Sequence, residues 1–153
     1  MIQKIVYTEE NYATTILRIM LGLVMFPHGA QKMLGWFGGY GFSGTLGFFT
    51  GTAGLPWIIG LLVILIEFVG SIFLVTGFAV RLTSLLLIIN MVGIILKAHL
   101  QNGFFMNWFG NQAGEGYEYH ILVITMSLTL LITGAGKFSI DNWIGKKLAI
   151  SNK

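Results

Sequence analysis

The chain has 153 residues, 55% of them hydrophobic and only 10% charged, with a formal net charge of +3. A soluble domain carries about 25% charged residues, so the polar surface needed to cover a water-soluble globule is missing. The chain therefore reads as one integral membrane domain over 1–153. It has no cysteine, which excludes disulfides, thiolate metal sites and a Cys-x-x-Cys redox relay, and no basic cluster points to nucleic acid.

Residues 1–12 form a short polar tail. The first apolar segment runs from about 13 to 34. Arg18, His28 and Lys32 lie inside it and no small-residue cleavage site follows, so it reads as a retained helix rather than a signal peptide, bent near Pro27. Residues 35–56 carry no charge and eight glycines among aromatics. This is too apolar for a solvated loop and fits a re-entrant or interfacial segment.

The second span, about 57–78, is WIIGLLVILIEFVGSIFLVTGF. It is long enough for the ~30 Å hydrocarbon core and holds one acid, Glu67. A carboxylate at that depth costs about 2.5–3.5 kcal/mol on insertion scales, so it requires a partner, a proton or a function. A tight turn leads to the third span, 80–99. A second glycine- and aromatic-rich linker, 100–117, precedes the fourth, 118–136, and a basic tail, 137–153, closes the chain.

The expected architecture is thus an all-α, four-helix membrane bundle. Lys4, Arg81 and the tail lysines place both termini in the cytoplasm by the positive-inside rule. Both aromatic linkers then share the outer face. They fit either an interfacial aromatic belt or, because of their one-sidedness, a lid over a hydrophobic pocket.

Polar residues fall into three groups. Arg18, Gly22, Met25, Gly29 and Lys32 share one helix face, and Gly60, Glu67, Ser71 and Arg81 share another. Counting depth at 1.5 Å per residue separates Arg18 from Glu67 by about 7 Å along the axis. An Arg18–Glu67 ion pair, with Asn90 at similar depth, forms the expected buried polar layer; a protonated Glu67 is the alternative.

Nearer the outer face, His28, Lys32, His99, Glu118 and His120 form a second level. They read either as snorkelling interfacial residues or as the polar rim of a ligand site able to exchange protons. Their spacing is diagnostic of neither haem nor metal, and no metal site is expected. In GAGKFSID, residues 134–141, glycines that stop a helix precede a new N-cap. Asp141 there is expected to pair with Arg81 or Lys137.

Taken together, Arg18 with Gly22, His28-Gly29 with Lys32, Glu67 with Gly70 and Gly77, Arg81, His99, Glu118-Tyr119 and GAGKFSID resemble the DoxX family of small four-helix bacterial membrane proteins. The resemblance covers nearly the whole chain after the first dozen residues. Ala135 departs from it, since relatives commonly carry proline between the two glycines. The resemblance implies a multi-pass protein of the bacterial inner membrane, associated with quinone-linked or oxidative-stress redox systems.

Two functions of different classes fit these residues. One is a redox-associated subunit, the membrane part of a quinone-linked oxidoreductase, binding a quinone-like ligand near the outer face. His28, Lys32 and His99 would donate hydrogen bonds there and Glu118 would relay protons. With no flavin or nicotinamide fingerprint, a redox partner protein must then supply electrons. The other is a non-enzymatic scaffold or small transporter, with Arg18–Glu67 as a structural or gating pair. Besides the bilayer, a homo-oligomeric partner is compatible with either.

Overall fold

The computed structural model describes Thr8 and residues 10–151. Lys4 and Lys153, which enter the orientation argument, lie outside the described residues. No strand occurs among the described residues.

Helix α1 spans Tyr12–Leu34. Asn11 starts it by accepting a 2.7 Å bond from the Ala13 N–H, the usual role of an asparagine N-cap. It continues without interruption through Pro27 and stops at Gly35, whose φ of 75° suits a left-handed C-cap. The following linker is folded. A 3-10 turn over Trp36–Gly38 leads into the short helix α2, Gly41–Gly47, and a wide turn over Phe48–Thr52. It lies hard against α1: a Cβ on Gly39 would sit 2.3 Å from the Gln31 carbonyl oxygen.

Helix α3, Trp57–Thr76, ends at Gly77, where the Gly77 and Phe78 N–H groups bond back to Leu74 and Phe73. Helix α4, Val80–Ile94, continues as a wider turn, Ile95–His99, and a 3-10 turn, Leu100–Asn102. Helix α5 spans Glu118–Thr133, and α6, Ile140–Ser151, occupies what the sequence presents as a basic tail.

Three helical stretches are long and apolar enough to cross a membrane: Tyr12–Leu34, Trp57–Thr76 and Val80–Asn102. Helix α5 is apolar but shorter, 16 residues, or about 24 Å.

Helix α1 packs on α3, α3 on α4, α4 on α5, and α5 returns to α1, closing a four-membered ring. Its core contains Leu21, Met25, Leu74, Leu87, Met91, Val123 and Leu130. The α1–α3 contact is the closest. A Cβ on Gly29 would lie 2.5 Å from the Phe68 Cα, and one on Gly22 2.9 Å from the Ser71 carbonyl oxygen. Small residues let two membrane helices approach to backbone contact and gain dispersion energy there. Outward positions stay apolar, among them Ile16, Leu23, Leu82, Ile89, Leu122 and Ile132. So continuous an apolar surface is suited to lipid and not to water.

The two glycine contacts fix the helix register and correct the depth estimate made from sequence. Glu67 lies opposite Gly29, eleven residues, or about 16 Å, beyond Arg18 along α1. The expected Arg18–Glu67 ion pair is therefore not formed. Aromatic exposure is also less one-sided than the linkers imply, because Tyr12, Phe138 and Trp143 are exposed at the opposite, basic end.

Candidate functional site

Arg18 is buried, and its guanidinium is saturated by backbone. Nε donates to the Ala135 carbonyl at 2.7 Å; Nη1 donates to Leu74 at 2.8 Å and Val75 at 2.6 Å; Nη2 donates to Lys137 at 3.3 Å and Phe138 at 2.9 Å. All five guanidinium N–H groups thus serve carbonyls at the end of α3 and in the Gly134–Phe138 turn, of which Leu74 also takes the Gly77 N–H and Lys137 the Thr15 hydroxyl. The negative end of the α3 dipole favours a cation there. Arg18 ties α1, α3 and the turn after α5 together and has no donor left for a ligand.

Asp141 works in the same region. Its two carboxylate oxygens accept the N–H groups of Ala79 at 2.8 Å and Val80 at 2.9 Å. It caps α4 from a distant part of the chain, since Ala79 offers no side-chain cap itself. Burial pushes the Asp141 carboxyl above its ordinary range; the two N–H bonds and the nearby Arg18 and Arg81 charges oppose that rise. Arg81, the partner expected for Asp141, donates from Nη1 to the Leu131 carbonyl.

Glu67 takes its partners from elsewhere. Lys32 Nζ lies 2.6 Å from Glu67 Oε2, and Asn90 Nδ2 donates to Oε1 at 3.2 Å. The structure thus joins Glu67 and Asn90, as expected of the polar layer, but replaces Arg18 with Lys32. Lys32 is 24% exposed against 2% for Glu67, so its stem reaches inward while its flank stays open. Three helices, α1, α3 and α4, meet in this triad. The gating role weighed for Arg18 with Glu67 has no geometric basis.

Toward the end of the bundle that carries the long linkers, the histidines converge. The His28 ring centroid is 5.7 Å from that of Tyr119, Tyr119 is 5.7 Å from His120, and His120 is 4.4 Å from His99. The Tyr119 hydroxyl lies 3.5 Å from Met25 Sδ. His99 Nδ1 is 2.7 Å from the Glu115 carbonyl oxygen and so carries the proton, leaving Nε2 as an acceptor on the neutral ring. His120 is buried, and its Nδ1 has no hydrogen-bond partner among the described residues. Buried polar atoms are nearly always paired, and an exception calls for a cause.

The last expected ligand residue, Glu118, is committed to the linker. Its Oε1 accepts from the Met106 N–H at 2.9 Å and from Trp108 Nε1 at 3.3 Å. Glu115 Oε2 likewise takes the Asn107 N–H at 2.7 Å. These acids hold the second linker over the histidines. The structure therefore brings His28 and His99 into one cluster, places Lys32 beside it in the Glu67 triad, and turns Glu118 away. Tyr119 and His120 complete the cluster. His120 belongs to the second polar level read from the sequence; Tyr119, beside it at the start of α5, does not. Among the described residues, no group of three His, Asp or Glu side chains is placed to hold a metal ion.

Comparison with known proteins identifies a family. The DoxX family model matches residues 13–100, more than half of the chain. The chain is 29% identical over 136 residues to a Bacillus subtilis (strain 168) protein named "Putative oxidoreductase CatD", covering 88% of this chain and 90% of that protein. No solved structure matches.

Proposed function

Because the chain belongs to the DoxX family of membrane proteins, we propose that it is the membrane subunit of a quinone-linked oxidoreductase and binds a quinone head at the His28–Tyr119–His120–His99 cluster. In this reading α5 completes a fourth crossing, both termini are cytoplasmic, and the linkers lie on the outer face of a bacterial inner membrane. The relative's oxidoreductase name supports a redox role.

One observation carries the site: a buried imidazole with an unpaired nitrogen, its ring centroid 4.4 Å from that of a second, tilted imidazole whose tautomer is fixed by the Glu115 carbonyl. A quinone carbonyl accepts a hydrogen bond and a quinol hydroxyl donates one. An imidazole offers either role, so this pair suits both ends of the redox couple. Apolar walls come from Met25 and Tyr119.

Reduction of the quinone to quinol takes two electrons and two protons. The electrons come from a redox partner protein, since the chain has no cysteine and no cofactor fingerprint. The protons pass through the imidazoles, whose ring nitrogens can donate or accept. The Lys32–Glu67–Asn90 triad beneath them fixes the floor of the site.

Titration of the purified protein with a short-chain quinone tests this reading, with fluorescence of the linker tryptophans Trp36 and Trp108 as the readout. Saturable quenching is expected, and His28→Ala should weaken it about tenfold, the loss of one hydrogen bond to a ring or its equivalent in packing. Quenching that is absent, or unchanged in His28→Ala, contradicts the assignment.

A further inference from the structure

A second surface lies at the opposite, basic end. A groove of about 390 Å3 is lined by residues that include Glu10, Lys137, Phe138, Asn142, Trp143 and Lys146. Its position is fixed by backbone bonds. The Asp141 N–H donates to the Gly77 carbonyl at 2.9 Å, and the Asp141 carboxylate caps α4. The first turn of α6 therefore sits against the α3–α4 turn, where the apolar helices end.

Two features of the groove point to one ligand chemistry. The first is that it already holds an anion. The Glu10 carboxylate forms an ion pair with Lys146 and accepts from Asn142 Nδ2 at 3.3 Å. These contacts, the Lys146 hydrogen bond foremost, hold the Glu10 carboxyl below its usual range. Two lysines of the groove, Lys146 and Lys137, act on that carboxylate, and Lys147 follows on α6. Lys137 lies 4.2 Å from the Tyr12 ring centroid and Lys147 3.9 Å from that of Trp143. Cation–π contacts orient such ammonium groups without neutralising them, so among the described residues lining the groove positive charge exceeds negative.

The second feature is apolar. Phe138 is 79% exposed and Trp143 59% exposed. Phe138 has a φ of 51°, a conformation costly for an aromatic residue. The Arg18 bonds to the Lys137 and Phe138 carbonyls hold that backbone in place, and with it the outward ring. Ile140, Ile144 and Leu148 recur at helical spacing along α6. Exposed aromatics beside lysines at the end of an apolar bundle form an interfacial surface continuous with the acyl region.

We propose that this groove binds the headgroup of an anionic phospholipid from the leaflet at the basic end, with Glu10 as a built-in competitor. The phosphate takes the place of the Glu10 carboxylate on Lys146 and Asn142, Lys137 provides the second cation, and the acyl chains descend past Phe138 and Trp143. A soluble phosphate has the charge but nothing to set against the aromatic wall. The inference does not depend on the quinone reading, because it uses other residues at the other end of the bundle.

The test uses the full-length protein in phosphatidylcholine nanodiscs containing a trace of fluorescent phosphatidylglycerol or fluorescent phosphatidylcholine, with energy transfer from tryptophan reporting enrichment. The wild-type protein should enrich phosphatidylglycerol. Replacing Lys137 and Lys146 together with Gln should lower that preference by about fivefold per lysine. Glu10→Gln, an exposed change, should raise it. Millimolar inorganic phosphate should leave it intact. Equal preference in the double lysine variant, an unchanged or lower preference in Glu10→Gln, or displacement of the lipid by inorganic phosphate would each overturn the proposal.

Discussion

Arg18 and Asp141 at one end of the bundle and the histidines at the other use their polar atoms in opposite ways. At the basic end, Arg18 spends all five guanidinium N–H groups on backbone carbonyls and Asp141 spends both oxygens on backbone N–H groups. At the linker end, His120 is buried with a ring nitrogen unpaired and His99 keeps one nitrogen uncommitted to the fold. A saturated buried charge has nothing left to offer a substrate and holds the chain together. An incompletely paired ring is costly to the fold and available to a ligand. On the proposed reading, the difference separates structural from functional polar residues in a membrane protein where both are rare.

The comparison breaks first at Arg18. Arg18→Ala should leave the Val75, Ala135 and Phe138 carbonyls without their donor, while Leu74 keeps the Gly77 N–H and Lys137 the Thr15 hydroxyl, and destabilise the protein by on the order of 3–5 kcal/mol. Arg18→Lys, with three donors in place of five, should recover only part of that. Unfolding in detergent followed by tryptophan fluorescence measures both. Equal stability of Arg18→Lys and wild type would show that charge alone, not the saturated geometry, is what matters.

Next in size is Glu67→Gln. It keeps an acceptor for Asn90 but leaves Lys32 without its counter-ion, and Lys32 is exposed enough to turn outward. A loss of about 1–3 kcal/mol is expected, with quinone affinity changed less than stability. A stable Glu67→Gln protein that no longer binds quinone would move the chemistry down to the triad.

The smallest effect is expected at Asp141. Its folded pKa stands above the reference value of 3.8 because of burial. The folded state then binds the proton more tightly than the unfolded chain. Stability from this group is greatest at low pH and falls as pH rises from about 3.8 through the raised folded pKa. Asp141→Asn should abolish that slope while costing about 1 kcal/mol near neutrality, since one of the two capping bonds is lost. Melting temperatures of the two proteins between pH 4 and 7 check it. A wild-type stability that rises across this window, absent in the variant, would reverse the sign.

Much of this was legible in the sequence. Length and hydropathy gave the all-helical class, and the Gly22–Gly29 stripe marked a close helix contact because only glycine tolerates a neighbour's backbone at such distances. The partner of Glu67 was not legible. Depth counted from segment ends assumes that neighbouring helices start level, whereas α1 and α3 are staggered so that Gly29 faces Glu67. Arg18 was misassigned for a related reason. Its true partners are main-chain carbonyls, which carry no sequence signature except the glycines at 134 and 136 that let the turn fold over it. Glu118 read as a ligand because nothing in its own segment shows that the Met106 N–H and Trp108 would occupy it.

The most direct test of the central claim is His120→Phe, which keeps a ring of similar shape and removes both nitrogens. Stability and short-chain quinone affinity should be measured on the same preparation. Removing a polar atom that the fold does not pair should leave stability within about 1 kcal/mol of wild type or raise it, while quinone affinity falls tenfold or more. A marked loss of stability with quinone affinity retained would contradict the account and place His120 among the structural residues.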